Sequence, residues 1–274
     1  MNIYECIERV GGTDKSEQPL DKILDDGGYT AIFRSIACVG DSLSSGTLEA
    51  VDEKEMHTYH DCFEYSWGQY LSRMTGAKVY NFSCSGMTAM EYQRSFGNHI
   101  NAWLPEKAAQ AYILALGVND LSNAFKHPLG SIEDIDLQDY TNNKPTFAGW
   151  YGKIVQRYKE IQPNAKFFFV SMPRSDLDSE EKAKERKNHA KLLHDMTKIF
   201  SNAYVIDLNQ YAPVYDKEFR EKFYLHGHLN PLGYQLTAKM IASYIDHIIR
   251  SAPKAFRQVG FIGKPQYSNQ LDLE

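Results

Sequence analysis

The stretch Ile36-Ala37-Cys38-Val39-Gly40-Asp41-Ser42-Leu43 decides the fold. An apolar run ends abruptly on Gly-Asp-Ser, which is typical of a buried strand followed by a tight turn. Open α/β sheets hold their reactive groups in the crevice outside the carboxyl ends of the strands. Ser42 is therefore a candidate nucleophile, and the rest of the chain must then supply a base and donors for an oxyanion.

An alternation of strands and helices follows from this first strand, predicted over residues 31–39. Further apolar runs predict strands over 78–82, 109–116, 165–172 and 203–208. Helices are predicted over 63–74 and 149–161, from Ser179 as N-cap to about Ser201, and from Pro231 with Asn230 as N-cap. This alternation favours an α/β fold with a parallel sheet and helices on both faces.

One domain over residues 1–274 is expected. Residues 1–30 are polar and interrupted by glycines, which predicts a short lead-in that packs on the core. The polar stretch 122–147 is long for a connection and predicts an insertion near the active site, since such loops are usually functional or mobile. Residues 252–274 have weak patterning and are expected to wrap the surface as a tail.

Composition limits the function classes. Hydrophobic residues make up 43% of the chain and charged residues 24%, which is ordinary for a globular protein. The net charge is −5 and the sequence has no dominant basic patch, so nucleic acid is not an expected partner. The amino terminus has no signal-peptide pattern, and no apolar run could span a bilayer, so a cytoplasmic protein without a membrane partner is expected.

Cysteine and histidine spacings give no strong metal signal. The four cysteines, Cys6, Cys38, Cys62 and Cys84, lack any C-x-x-C pair and are expected to be free thiols, with Cys38 in the core. The spacings His226-x-His228 and His57-x-x-His60-Asp61 occur at metal sites, but neither comes with a clear carboxylate set. No metal or other cofactor is expected.

Residues after the other predicted strands can complete a serine site. His228 is the best placed of nine histidines to act as the base, because its loop follows the fifth strand. Gly86 can present a backbone N–H with no side chain in the way, Asn119 can present a side-chain amide, and the Ser42 N–H would be the third oxyanion donor. Asp41, Asp120 and Asn230 are interpreted as structural residues near the site.

Gly40-Asp41-Ser42-Leu43, Gly86, Gly117-x-Asn119-Asp120 and His228 with Asn230 and Gly233 resemble the four sequence blocks of the SGNH, or GDSL-type, hydrolases. The blocks come in the family order over residues 36–234. The resemblance implies a flavodoxin-like three-layer α/β/α sandwich with a five-stranded parallel sheet of order 2-1-3-4-5. It also implies serine esterase chemistry, with Ser42 as nucleophile, His228 as base, and Gly86 and Asn119 completing the oxyanion hole.

One position departs from the family pattern. The family usually carries an aspartate three residues before the histidine, and here that position is Leu225. In another serine hydrolase, losing the equivalent acid costs on the order of 10⁴ in rate. We therefore predict a Ser42–His228 dyad in which the carbonyl of a nearby loop residue holds the imidazole. The alternative is a carboxylate from elsewhere in the chain, which the sequence does not place, and a carboxylate on Nδ1 of His228 would contradict the dyad.

The favoured function is hydrolysis of short-chain carboxylic esters, a small-molecule substrate class that includes O-acetylated carbohydrate. One alternative is a lysophospholipase or thioesterase. Another is a weakly active or non-catalytic binding protein on the same fold, which is considered because Leu225 replaces the usual acid. A phosphate-binding domain is disfavoured because the glycine-rich phosphate motifs are absent from the sequence. The acyl group, the alcohol, the oligomeric state and the choice between hydrolysis and acyl transfer stay open.

Overall fold

A computed structural model describes residues 16–122 and 124–259, and its centre is a five-stranded, all-parallel sheet. The strands run in the order β4-β1-β5-β6-β7, which reads 2-1-3-4-5 when only the strands of this sheet are counted along the chain. The sheet consists of β1 (Ser35–Gly40), β4 (Lys78–Ser83), β5 (Ala111–Ala115), β6 (Lys166–Val170) and β7 (Ala203–Ile206). The predicted fold class is confirmed.

The strands are buried on both faces, as their continuous apolar runs predict. Every residue of β1 and β6 is buried. The first strand begins at Ser35 instead of residue 31, because Gly28–Ile32 forms a 3₁₀ turn. This turn and the preceding residues pack on the last helix through hydrogen bonds from Leu24 N–H to Ser243 and from Thr30 Oγ1 to the Ala242 carbonyl.

Helices cover both faces of the sheet. They are α1 (Ser42–Ser45), α2 (Trp67–Thr75), α3 (Ala89–Glu91), α4 (Gly97–His99), α5 (Phe147–Ile161), α6 (Glu180–Ile199), α7 (Leu208–Tyr211), α8 (Lys217–Phe223) and α9 (Pro231–Ser251), with a π-helical turn over Tyr92–Phe96. Helices α2 and α9 pack on one face, and α5 and α6 pack on the other. Both predicted N-caps are confirmed: Ser179 accepts from Lys182 N–H and Asn230 from Gly233 N–H.

The helix predicted over residues 63–74 is divided in two. Phe63–Tyr65 forms a 3₁₀ turn, and Ser66 has an extended backbone with ψ 152°. The Ser66 hydroxyl accepts the Gln69 N–H at 3.1 Å and so starts α2. A serine that can cap the next turn competes with helix continuation, which explains the break.

An antiparallel hairpin after the Ser42 turn was not predicted. Its strands, β2 (Thr47–Val51) and β3 (His57–Asp61), form a sheet of their own. In the connecting turn the Asp52 carboxylate accepts the N–H groups of Lys54 and Met56. A second, two-residue ladder pairs β8 (Tyr224–Leu225) with β9 (His228–Leu229).

The described part of the 122–147 stretch contains turns and two short 3₁₀ helices, Ile132–Asp134 and Tyr140–Asn142. The lead-in before residue 16 and the tail after residue 259 lie outside the described residues. None of the helices in the described ranges has the length and apolar character needed to cross a membrane.

Candidate active site

Ser42 is the first residue of α1 and directly follows the turn at the end of β1. The Asp41 carboxylate accepts the Leu43 N–H at 3.0 Å, and the Asp41 carbonyl accepts from the N–H groups of Ser44 and Ser45. This N-cap starts a short helix at the carboxyl edge of the sheet. Ser42 is half-buried there.

Asp41 itself is buried beneath this turn. Its second carboxyl oxygen and the Ser44 hydroxyl have no hydrogen-bond partner among the described residues. Burial raises the pKa of Asp41 to about 7, with a smaller contribution from the charge of Asp120. The Asp41 carboxylate thus bonds to the turn itself, and its structural role stays a prediction.

Gly86 lies in a tight turn after β4, in which the Met87 N–H donates to the Cys84 carbonyl at 3.2 Å. Its φ of +74° is in the left-handed region that favours glycine, and a Cβ built on it would meet no atom within 4 Å. The Cys84 N–H donates to the Gly40 carbonyl at 3.3 Å, which connects this turn to the Ser42 turn.

Asn119 lies in the turn that follows β5. The side-chain Nδ2 donates to the Met87 carbonyl at 3.0 Å and so joins the Asn119 turn to the Gly86 turn. An amide nitrogen carries two hydrogens, so one donor is left for another acceptor. The two predicted oxyanion donors therefore belong to loops that are hydrogen-bonded to each other.

Asp120 is fully buried and connects three segments. Its carboxylate accepts the Ala89 N–H through both oxygens, at 3.0 and 3.1 Å, and His127 Nδ1 lies 3.3 Å away. Burial raises the pKa of Asp120. These contacts connect the Asp120 turn to the segments that contain Ala89 and His127.

His228 lies on β9, just before α9, and its side chain is 20% exposed. Asn230 follows it and caps α9, while its Nδ2 donates to the Lys222 carbonyl at 2.8 Å. Helix α1 contacts β9, so Ser42 and His228 belong to adjoining segments. Tyr234 of α9 donates its hydroxyl to the Thr47 carbonyl at 2.6 Å and fixes α9 beside the hairpin.

The predicted dyad is wrong, because a carboxylate holds His228. Glu49 Oε2 lies 3.0 Å from His228 Nδ1 and also accepts the Gly227 N–H at 2.7 Å. Leu225, at the position where the family usually has its acid, is 41% exposed on the neighbouring strand. The acid comes instead from β2 of the hairpin, seven residues after Ser42 in the sequence.

Glu49 is 4% exposed and ionised at neutral pH. Burial raises the pKa of Glu49, but hydrogen bonds from His228, His57 and Gly227 outweigh it and lower that pKa to about 2. An ionised carboxylate on Nδ1 fixes the imidazole tautomer, leaves Nε2 free to accept a proton, and stabilises the resulting cation.

A second histidine, His57 of β3, also contacts this carboxylate. His57 Nδ1 lies 2.6 Å from Glu49 Oε1. Tyr59 of the same strand packs edge-on against the His228 ring, with 5.6 Å between ring centroids. The sequence analysis did not assign Glu49 or His57 to the serine site. The signal for Glu49 was its place between the apolar Leu48 and Ala50, because neighbouring side chains in a strand point to opposite faces.

Two spaces adjoin these residues. A mainly apolar cavity of about 70 Å³ extends beneath α1 and is lined by residues that include Asp41, Leu43, Trp67, Val118, Met172 and Leu229. An open groove of about 400 Å³ begins at Gly86 on the other side and is lined by residues that include Ser85, Met87, Glu91, Ser95, Phe96 and His99.

Some of the histidines and cysteines considered for other chemistry lie at this site: His57 and His228 contact Glu49, and Cys84 belongs to the Gly86 turn. Within residues 16–122 and 124–259 no group of three or more His, Cys, Asp or Glu side chains could hold a metal ion. Cys38 is buried in the core, as predicted, and burial raises the pKa of the Cys84 thiol and weakens it as a nucleophile.

Comparison with known proteins places this geometry in context. A family model described as the GDSL-like lipase/acylhydrolase family matches residues 38–236. No curated protein sequence matches the chain.

Solved structures share the fold. A family two carbohydrate esterase from Clostridium thermocellum, solved with cellohexaose, has a TM-score of 0.57 at 17% identity; the match covers 79% of this chain and 64% of that one. A carbohydrate acetylesterase from Sinorhizobium meliloti has a TM-score of 0.52 at 15% identity, covering 78% and 99% of the two chains. A psychrotrophic esterase from a Pseudoalteromonas species, inhibited by monoethylphosphonate, has a TM-score of 0.52 at 14% identity, covering 80% and 100%.

Proposed function

The chain belongs to the GDSL-like lipase/acylhydrolase family, and from that membership we propose that it hydrolyses short-chain carboxylic esters through an acyl-enzyme on Ser42. In this proposal His228 is the general base and Glu49 orients it. The N–H groups of Ser42 and Gly86 and the amide of Asn119 stabilise the oxyanion.

The observation that carries the proposal is the 3.0 Å contact between His228 Nδ1 and the ionised Glu49. It supports a base in the tautomer that serine activation needs, with a negative charge ready to stabilise the imidazolium. It also removes the motive for a non-catalytic binding protein, since the acid that Leu225 cannot supply is present on β2.

In this proposal the reaction has two steps, formation of the acyl-enzyme and its hydrolysis. His228 Nε2 takes the proton of the Ser42 hydroxyl as Oγ attacks the ester carbonyl, and the oxyanion forms against the three donors. The C–O bond to the alcohol then breaks, and His228 returns its proton to the departing oxygen. A water molecule, deprotonated by the same nitrogen, attacks the acyl-enzyme, and the acid leaves as Ser42 regains its proton.

The cavity beneath α1 supports a short acyl group. Its volume of about 70 Å³ is roughly half that of an engineered protein cavity that binds benzene, at about 150 Å³. Acetyl to butyryl groups match a space of that size, whereas the long chain of a lysophospholipid does not. Leu43 and Val118 line this cavity and are the sequence neighbours of Ser42 and Asn119. This supports an acyl group that extends from Ser42 into the cavity.

The groove beside Gly86 supports a carbohydrate as the alcohol. It combines an aromatic face, Phe96, with hydrogen-bonding groups on Glu91, Ser95 and His99. Sugars offer hydroxyl groups to such polar side chains and C–H faces to aromatic rings. Two proteins of the same fold are carbohydrate esterases, which makes O-acetylated sugars the first substrates to test.

The test is release of p-nitrophenol from acetyl, butyryl and octanoyl esters by the wild type, Ser42→Ala and Ser201→Ala. Ser201 precedes β7 at the opposite edge of the sheet and serves as the matched control. We expect turnover that falls from butyryl to octanoyl, survives in Ser201→Ala and is lost in Ser42→Ala. Equal turnover in all three proteins would overturn the serine mechanism, and a fluorophosphonate label bound at Ser42 would independently identify an activated serine.

A further inference from the structure

Glu49 contacts two imidazoles, one on each carboxylate oxygen. Oε2 lies 3.0 Å from His228 Nδ1 and accepts the Gly227 N–H, whereas Oε1 lies 2.6 Å from His57 Nδ1. The base His228 and its acid would already form a complete triad with Ser42. His57 is therefore an additional titratable group placed directly on the acid.

We propose that His57 is a positioning residue that holds Glu49 against His228 while it is neutral and weakens the base when it is protonated. The inference rests on the proposed function, in which His228 is the general base. It assigns to the hairpin strand β3 a control of activity by pH.

The positioning part follows from burial and from side-chain length. A glutamate has one more rotatable bond than an aspartate, so more contacts are needed to hold its carboxylate in one orientation. Glu49 is 4% exposed, and a buried ionised oxygen without a donor is costly. His57 supplies the donor for Oε1, and Gly227 N–H completes the set on Oε2.

The pH part follows from charge. A neutral His57 that donates its Nδ1 hydrogen leaves the full negative charge of Glu49 available to the imidazolium that forms at His228 in the reaction. A protonated His57 makes an ion pair with the same carboxylate and reduces that stabilisation. Imidazole is the side chain whose ordinary titration falls between about pH 5 and 8.

The His57 ring is open to solvent, since its side chain is 50% exposed. Besides Glu49, the titratable groups around it are His226, whose ring centroid lies 6.1 Å away, and Tyr59 on its own strand. The turn that precedes β3 contains four further charged side chains, those of Asp52, Glu53, Lys54 and Glu55. Glu49 is the group in direct contact, at 2.6 Å.

Three substitutions separate the two roles. His57→Asn keeps a donor close to the Nδ1 position but does not titrate, and His57→Phe removes the donor. His60→Asn is the matched control, because His60 is exposed on the same strand and its Nε2 lies 3.3 Å from Thr58 Oγ1. The measurement is kcat and KM for p-nitrophenyl acetate from about pH 5 to pH 9, with thermal unfolding to verify that each variant is folded.

We expect kcat of His57→Phe to fall about tenfold at pH 8 with KM within about twofold, since a charge-assisted hydrogen bond is lost. His57→Asn should keep kcat within about threefold. In the wild type the acid limb should be steeper than a single protonation allows, and in His57→Asn it should reduce to one proton, with His60→Asn following the wild type.

A folded His57→Phe with wild-type kcat and an unchanged acid limb would overturn the proposal. An acid limb of one proton in the wild type and in His57→Asn alike would overturn its pH part. Failure of the proposed function has a different signature, since Ser42→Ala would then keep the wild-type turnover.

Discussion

The two sides of the candidate active site are held in place by different means. The oxyanion side, formed by Gly86, Asn119 and Asp120, consists of loops that follow β4 and β5 and is connected by hydrogen bonds to backbone groups. The base side, formed by Glu49, His57 and His228, consists of side chains from β2, β3 and β9, outside the central sheet. The first side is positioned by the sheet, and the second by contacts between side chains.

The two sides also differ in charge. The oxyanion side offers uncharged donors, and its carboxyl, Asp120, bonds to the Ala89 N–H. The base side contains an ionised carboxylate shared by two imidazoles. Substitutions on the base side should therefore act through charge and protonation, while those on the oxyanion side should act through the loss of a single donor.

The largest effect is expected for Glu49→Gln. The amide has no charge and can present an N–H to Nδ1, which favours the wrong imidazole tautomer, so kcat should fall by about 10³–10⁴ with little change in KM. Steady-state kinetics with p-nitrophenyl acetate measures this. Glu53→Gln, in the exposed turn of the same hairpin, is the matched control. A loss of less than about tenfold in Glu49→Gln would show that the Glu49 carboxylate does not support His228 in the reaction.

A smaller effect is expected for Asn119→Ala on the other side. Removing one oxyanion donor typically costs about 10²–10³ in kcat. Asn119→Asp should lose more than the alanine variant, because a carboxylate repels the oxyanion that the amide stabilises. The same assay ranks the two variants, and an alanine variant with wild-type kcat would remove Asn119 from the oxyanion hole.

Asp41 and Glu49 are both buried carboxyl groups, but their pKa values are shifted in opposite directions, upward for Asp41 and downward for Glu49. Its pKa of about 7 exceeds the ordinary value of 3.8, so the protonated form stabilises the fold at low pH and this contribution is lost as pH rises from about 4 to 7. Asp41→Asn keeps an oxygen for Leu43 N–H without the charge. The free energy of unfolding of Asp41→Asn should exceed that of the wild type by up to about 4 kcal/mol at pH 8 and by little at pH 4.

Chemical unfolding of both proteins at the two pH values tests this expectation. Because Asp41 precedes the nucleophile, stability and not turnover is the readout. A stability difference that is the same at both pH values would contradict the assignment of the buried charge to Asp41.

The sheet and the oxyanion side could be predicted because both depend on local sequence. Continuous apolar runs identify strands buried on two faces, and the residue that follows each run must lie at the carboxyl edge. Gly86 and Asn119 were predicted in this way, and their turns do follow β4 and β5. The boundaries shifted where a side chain starts a new element, as at Ser66, since such capping depends on a few atoms.

The base side could be predicted only in part. His228 was found from its position before the N-cap Asn230 and Pro231. Glu49 was not, because its contact with His228 joins residues that are 179 positions apart and depends on how the hairpin packs against β9. The 47–61 segment alternates weakly and contains a charged turn, so its pattern indicates neither a core strand nor a partner for a histidine.

The cavity beneath α1 has a consequence for spectroscopy. Trp67 is one of three tryptophans in the chain, lines this cavity and is 2% exposed. The other two have different neighbours: the Arg157 guanidinium lies 3.8 Å from the Trp103 ring, and the Trp150 ring faces His127. A molecule that fills the cavity would contact Trp67, so the intrinsic fluorescence of the unlabelled protein can report the occupancy of the space beneath α1.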